Sequence, residues 1–326
     1  MSVLLSIVIP VYNVAEYIPY CLENIVNKNS NEIEIILVDD GSTDSSGTVI
    51  DEFANQYQNV ISYHKANGGL SDARNFGLLK SSGKYVFFFD SDDFVTIDFI
   101  SSIINTLKKD EYDAVLWDAD IYDEHGKRMN VDSSYYHHTG LKDELVYTGK
   151  EVIEYQLQNH NDYVTTVWLG LYSRRMLIDN CIWFEKGLLH EDEMWTQKVF
   201  LASSKIKYLE SAFYCYRKRS NSIMNPADKD WSRNIEALIY TFSSLPSFYD
   251  WAVKDESFKK KLKGNTTKRF LHMIGKYQLS RYPKLISRVN RRMLLLNANT
   301  LVDKIRAFIL CLSVSLYCWI AKRFKR

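Results

Sequence analysis

Tyr85-Val-Phe-Phe-Phe-Asp-Ser-Asp-Asp93 is an oily, β-prone run that stops on three carboxylates, Asp90, Asp92 and Asp93. Carboxylates this close repel one another and raise each other's proton affinity unless positive charge lies among them. Hard divalent cations supply such charge: Mg²⁺ or Mn²⁺ takes oxygen ligands, commonly one or two carboxylates completed by substrate phosphates. Asp also favours solvated turns, so the run by itself divides evenly between a metal site and an acidic turn. The chain that precedes it tips the balance.

Residues 4–11 form a continuous apolar run with Val and Ile, ended by Pro10, and read as a buried parallel strand. Asn13 is placed to cap a helix over 15–26, with Tyr17, Ile18, Cys21, Leu22 and Ile25 on one face. A second strand over 33–38 terminates in Asp39-Asp40-Gly41-Ser42-Thr43-Asp44, where Ser42 or Thr43 can cap the next helix. A third strand over 60–64 leads to Asn67-Gly68-Gly69, a helix over 71–80 and the fourth strand over 84–89. This alternation predicts an α/β fold with a mostly parallel central sheet and helices on both faces. Ligands of such sheets bind at the carboxyl ends of the strands. From 96 onward the pattern is less regular, with helices predicted over 97–108, 149–159, 173–180 and 192–202. Strands are predicted over 114–118 and 212–217, and a hairpin turning at 124–127. After Pro226 the chain reads as helical, which places a domain boundary near 220–230.

Each strand end carries chemistry with a plainer alternative. Asp39 can accept the imide N–H of a uracil, or close an Asx turn ahead of a helix. The glycines of Asn67-Gly68-Gly69 let backbone approach a ligand. Arg74 on the following helix can reach phosphate or base, or form a surface salt bridge. Glu191-Asp192-Glu193 suits the first turn of a helix, where the dipole favours carboxylates.

The order and spacing are more specific than any single piece. Ser6-Ile-Val-Ile-Pro-Val-Tyr-Asn13, Ile36-Leu-Val-Asp-Asp-Gly-Ser-Thr-Asp44, Gly68-Gly-Leu-Ser-Asp-Ala-Arg-Asn75 and Phe89-Asp-Ser-Asp-Asp93 together resemble glycosyltransferase family 2. The match is dense over about the first 95 residues and weaker to about 225. The resemblance implies a GT-A fold, a nucleotide-sugar donor (UDP-linked) and Mn²⁺ or Mg²⁺ as cofactor. It implies that Pro10, Tyr12, Asp39, Asn67 and Arg74 line the nucleotide, that Asp90 lies near the ribose, and that Asp92 binds the cation. Gly187-Leu-Leu-His-Glu-Asp-Glu-Met-Trp195 is similar to the family's Glu-Asp segment, which implies Asp192 as catalytic base, with Glu191 and Asp93 near donor sugar or acceptor. Inverting transfer needs one carboxylate to take the acceptor hydroxyl's proton. Its diphosphate leaving group needs no protonated acid when a cation stabilises it, unlike the two-carboxylate hydrolases.

Tyr214-Cys-Tyr-Arg-Lys-Arg-Ser-Asn-Ser222 resembles a basic loop of related enzymes, implying that Arg217, Arg219 and Ser222 clamp the diphosphate. Trp168 matches a family tryptophan, but the position two residues later, often Lys in relatives, is Gly170 here. His137, His138 and His190 can ligate metal, although isolated histidines are more often structural.

Residues 1–250 carry 22 Lys+Arg against 37 Asp+Glu, and 251–326 carry 19 against 3, so a near-neutral chain hides net charges of −15 and +16. Expected domains are a catalytic domain over 1–225, its nucleotide-binding half over 1–95 and acceptor half over 96–225, and a basic helical region over 226–326. Residues 307–321 are uncharged but short for a spanning helix, and predict an amphipathic membrane-associating helix over about 301–326 attracted to anionic lipid. The alternative is a helix of the C-terminal core. The start of the chain has no basic, cleavable leader and the five cysteines have no paired spacing, so the expected location is cytoplasmic, peripheral to the membrane. Expected partners are a UDP-sugar, a lipid-linked or oligosaccharide acceptor and the inner membrane leaflet, with a homodimer possible and no nucleic acid. Competing functions are a nucleotidyltransferase and a non-catalytic nucleotide-sugar binding protein. The first would favour a Gly-rich, Lys-bearing loop after the first strand, and Val11-Tyr-Asn-Val-Ala15 has neither residue.

Overall fold

A computed structural model describes residues 3–26, 31–160, 162–219 and 230–323. The chain divides into two compact units, Met1–Ser222 and Ile223–Arg326. In the first unit the strands are β1 (Leu5–Val11), β2 (Ile33–Asp39), β3 (Val60–His64), β4 (Tyr85–Phe88), β5 (Phe94–Val95), β6 (Ala114–Leu116), β7 (Ala119–Tyr122), β8 (Val146–Tyr147), β9 (Gly170–Ser173), β10 (Ile206–Tyr208) and β11 (Tyr214–Arg217). Its helices are α1 (Ile18–Leu22), α2 (Ser46–Gln56), α3 (Leu70–Lys80), α4 (Phe99–Lys109), α5 (Gly149–His160), α6 (Arg174–Asp179) and α7 (Asp192–Ala202).

An eight-stranded sheet runs β3-β2-β1-β4-β9-β6-β10-β8, and a three-stranded sheet runs β5-β11-β7. β3, β2, β1 and β4 are mutually parallel, β6 and β10 are parallel, and β9 is inserted antiparallel between β4 and β6. β1 and β2 are wholly buried but for one intermediate position, Glu34, in keeping with their predominantly Ile/Leu/Val content. The register sets Val11 opposite Asp39 and Asp39 opposite His64, so the polar run after each strand emerges at one edge. Because β9 runs against its neighbours, its beginning lies at that same edge, which carries Trp168 there. β11 pairs with both β5 and β7, which draws Arg217 beside the acid run.

Three local expectations give way. The helix expected over 15–26 is cut to α1, and Asn13 does not cap it. Asn13 takes a left-handed backbone (φ 52), and its Oδ1 accepts from the Thr43 amide at 2.8 Å and the Asp44 amide at 3.3 Å. Its side chain thereby ties the end of β1 to the loop after β2, a local bond that competes with capping. Neither Ser42 nor Thr43 caps α2; Ser45 holds that position, and the Ser42 hydroxyl accepts from the Asn13 amide. β9 and β10, short and flanked by irregular chain, carry too little pattern to be read from sequence. All five cysteines are free; Cys21, Cys215 and Cys318 are buried and Cys181 is exposed.

The second unit is helical: α8 (Ser232–Ala252), α9 (Glu256–Lys276), α10 (Pro283–Ile286), α11 (Arg291–Asn297), α12 (Leu301–Leu312) and α13 (Val314–Arg323). Its own core includes Ile235, Phe242, Phe270, Ile274, Leu294, Leu310 and Tyr317. The single amphipathic helix expected over 301–326 is two helices. Ser313 leaves the helical backbone (φ −151, ψ 110), and its hydroxyl accepts from the Leu316 amide to open α13. Among the described residues no helix is long and apolar enough to cross a membrane.

α3 lies so close to β1 that a Cβ added at Gly77 would stand 2.2 Å from Val8 Cγ1. Val8 is fully buried and stiff at χ1. Gly77→Ala is therefore expected to destabilise by about 1–3 kcal/mol through overpacking, despite Ala's better helix propensity. Urea unfolding of the variant checks this; equal or greater stability would mean the helix shifts without cost.

Candidate active site

Asp39, the last residue of β2, is nearly buried. Its Oδ1 accepts from the Ser42 amide at 2.9 Å and its Oδ2 meets His64 Nδ1 at 3.0 Å. Burial raises its proton affinity, but the Ser42 and His64 hydrogen bonds outweigh burial and lower its pKa. His64 continues through Nε2 to Asp51 at 3.1 Å, and the bonds to Asp39 and Asp51 raise its pKa. Asp40 shapes the glycine turn: its carboxylate accepts from the Gly68 and Gly69 amides at 3.0 and 2.7 Å and pairs with Lys65. Asn67 donates to the Asp40 carbonyl at 2.9 Å, Tyr12 is half exposed beside this edge, and Pro10 is buried within β1. His64 was not singled out from sequence; its role depends on strand register, which leaves no local pattern.

Arg74 is only 1% exposed. One terminal nitrogen donates to Asp90 at 2.7 Å and the other to Glu191, with the guanidinium 5.3 Å from the Phe184 ring centre. Burial disfavours its charge, but Asp90 and Glu191 outweigh that and raise its pKa. Arg74 is therefore not the surface salt bridge that was the plainer alternative, but a buried brace between the end of β4 and the start of α7.

The three carboxylates of the acid run have separate surroundings. Asp90 faces Arg74. Asp92, about one-fifth exposed, pairs with Arg219. Asp93 is turned inward, accepting from Tyr214 Oη at 2.6 Å and the Arg217 amide at 2.7 Å. Burial, then Asp92 and Asp90, push the pKa of Asp93 well up. Asp93 thereby anchors the end of β4 to β11. Arg217 is likewise absorbed by structure. Nε donates to the Asp92 carbonyl at 3.0 Å and Nη1 to the Glu124 carbonyl at 2.9 Å, with Tyr17, Tyr20 and Phe94 around the guanidinium. Arg219 remains partly exposed, and Ser222 lies outside the described residues.

Asp192 opens α7, with Glu191 at the cap position. Burial comes first, then the charges of Glu191 and Glu193, in pushing its pKa well up, with Arg74 opposing. Trp168 is buried in an aromatic stack, 4.2 Å from Tyr214 and 5.6 Å from Tyr216 between ring centres. At Gly170 a Cβ would meet Leu116 Cδ2 at 2.8 Å, so this start of β9 has no room for a longer side chain without movement. His138 is buried against Asp118 (Nδ1 to Oδ1, 3.1 Å) and His137 reaches the same carboxylate, which gives both a structural role.

Among the described residues no three His, Cys, Asp or Glu side chains are grouped to hold a metal by themselves. Asp92, partly exposed and paired with the Arg219 guanidinium, is a carboxylate that accommodates positive charge and fits a hard cation whose shell is completed by phosphate and water. A cleft of about 440 Å³ lined by Glu16, Tyr17, Tyr20, Phe94 and Arg217 is separate: Asp39, Asp92 and Asp192 do not line it.

Residues 6–180 match the model of "Glycosyl transferase family 2". The chain is 33% identical over 243 residues to glycosyltransferase GlyG of Streptococcus pneumoniae serotype 4, covering 72% of this chain and 78% of that protein. It is 33% identical over 233 residues to glycosyltransferase GlyA of the same organism, covering 70% of this chain but 32% of the relative's length. The S. aureus TarS fragment 1–349 in complex with UDP-GlcNAc superposes with a TM-score of 0.69 at 19% identity, over 99% of this chain and 93% of that one. The sheet order, the strand-end carboxylates and these matches agree: the chain has a GT-A-like fold with a helical C-terminal region, and it belongs to glycosyltransferase family 2.

Proposed function

We propose that this chain is an inverting transferase that moves a hexose or N-acetylhexosamine from a UDP-sugar to a hydroxyl of a lipid-linked saccharide, in building a surface polysaccharide. The observation that carries the reading is the shared guanidinium of Arg74. It joins Asp90, at the end where a diphosphate would lie, to Glu191, the neighbour of a carboxylate with raised proton affinity. TarS, of the same fold, was crystallised with UDP-GlcNAc, which favours a uridine donor.

In this reading Asp39 and the Asn67-Gly68-Gly69 turn hold the base, with His64 and Ser42 fixing the carboxylate. Asp92 would hold Mn²⁺ or Mg²⁺ together with the donor's phosphates. A bound cation would supply neutralisation of the charge that develops on the departing nucleoside diphosphate. Asp192 takes the proton of the acceptor hydroxyl as its oxygen attacks the anomeric carbon from the face opposite the leaving group. A carboxylate of ordinary acidity is a weak base at neutral pH; the burial and acidic neighbours of Asp192 bring its proton affinity closer to that task. The protein would work at the inner face of the cytoplasmic membrane, where lipid-linked acceptors lie.

Asp192→Asn is expected to lower the transfer rate by roughly 10²–10⁴ while UDP-sugar binding stays within a few-fold. Because the pKa of Asp192 is raised, transfer by the native protein should decline at a higher pH than an ordinary carboxylate would dictate. The base is lost by protonation as pH falls. Near-native transfer by the variant would overturn the base assignment. Asp92→Asn should leave UDP-sugar binding insensitive to added Mn²⁺, whereas the native protein should bind more tightly with Mn²⁺ than with chelator in calorimetry. Equal native affinity under both conditions would remove the cation from the mechanism.

A further inference from the structure

α12 carries two apolar stripes. Ala307 and Leu310, with Asp303, form the buried one, turned into the helical core. Leu301, Ile305, Phe308 and Leu312 form the other, at the i, i+4, i+7, i+11 spacing that keeps four side chains within an arc of about 60° on a helix of 3.6 residues per turn. Leu301 is 74% exposed, Phe308 56% and Leu312 69%. Leu295 and Leu296 on α11, Val302 on α12, and Leu316 and Trp319 on α13 are exposed as well. A soluble surface rarely concentrates large apolar side chains in this way without a partner.

The charges beside these residues indicate which partner. Arg291, Arg292, Lys304, Lys322 and Arg323 are exposed on the same three helices. The only carboxylate on those helices, Asp303, is buried, bonded to Thr300 and paired with Arg306. Arg323 lies 5.2 Å from the Trp319 ring centre, placing a cation against an aromatic side chain. A second copy of the chain would bring a like set of cations against this set and be repelled. An anionic lipid surface answers both features, apolar side chains for the acyl boundary and cations for the headgroups.

We infer that the α11–α13 face of the C-terminal unit is a docking surface for an anionic bilayer, with Leu301, Ile305, Phe308 and Leu312 as the inserting stripe. Docking is in-plane, since neither α12 nor α13 is long enough to span. The inference deepens the proposal of a lipid-linked acceptor, but its readout is membrane binding, which needs no catalysis.

The experiment is co-flotation of the full chain with phosphatidylglycerol-containing vesicles and with phosphatidylcholine vesicles. It is run on the native protein and on the triple variant Leu301→Ser, Phe308→Ser, Leu312→Ser. All three positions are exposed, so circular dichroism and the unfolding midpoint should be unchanged. The native protein should float with anionic vesicles at least tenfold more than with neutral ones and lose this preference in high salt. The triple variant should lose at least tenfold of the binding. Equal binding to both lipids, equal binding by the variant, or no native binding would each overturn the inference. So would a dimer in light scattering that the triple substitution dissolves while vesicle binding is absent. Vesicle binding without sugar transfer would count against the catalytic reading alone.

Discussion

The buried guanidinium of Arg74 constrains the rest of the catalytic unit. A charge removed from water is tolerated only where partners of opposite sign surround it, and here Asp90 and Glu191 supply them from β4's end and α7's start. Two elements separated by about a hundred residues of chain are thereby held at one point. The acid run cannot drift from the carboxylate of α7 without leaving a buried charge exposed to apolar surroundings, the Phe184 ring among them. The same charge restrains Asp192: it opposes burial and the acidic neighbours in setting that group's proton affinity. Position and basicity thus share one cause.

Much of the first 95 residues was legible because β1, β2 and β4 are almost wholly buried and read as predominantly apolar runs. β3 and α7 fall at the residues expected from sequence. The failures are local and physical. Asn13 has one side-chain amide and two places to use it; a bond across to Thr43 and Asp44 won over a cap. β9 is four residues long and antiparallel within a parallel sheet, so neither length nor rhythm signals it, yet it brings Trp168 to the working edge. Among the site residues, those whose role is set by chemistry were visible as carboxylates at strand ends. Those whose role is set by register, His64 above all, were not. The surroundings of Arg217 were hidden for a different reason: a basic run looks the same in sequence whether its arginines face solvent or sit among Tyr17, Tyr20 and Phe94.

The opposed net charges of the two halves also have separate physical readings. The acidic first part gathers carboxylates at strand ends and answers many of them with arginine or backbone amides. The basic last part leaves its cations exposed beside apolar side chains while its one late carboxylate, Asp303, is buried. Charge of one sign beside bare apolar surface is a poor arrangement for water alone and a suitable one for an interface.

Three carboxylates within four residues demand positive charge, and from sequence a divalent cation was the natural source. The protein itself supplies a partner for each, a guanidinium for two and neutral donors for the third. Asp90 has Arg74, Asp93 has the Tyr214 hydroxyl and the Arg217 amide, and Asp92 has Arg219. These partnerships are not equivalent. Arg74 is enclosed and Asp93 is sealed, so neither can change partner without unburying charge. Arg219 and Asp92 are each about one-fifth exposed, in a pair that water can enter and whose exchange costs little. Of the three carboxylates, Asp92 is the one whose arginine partner is itself partly exposed, so its ion pair can open without unburying a guanidinium, whereas that of Asp90 cannot.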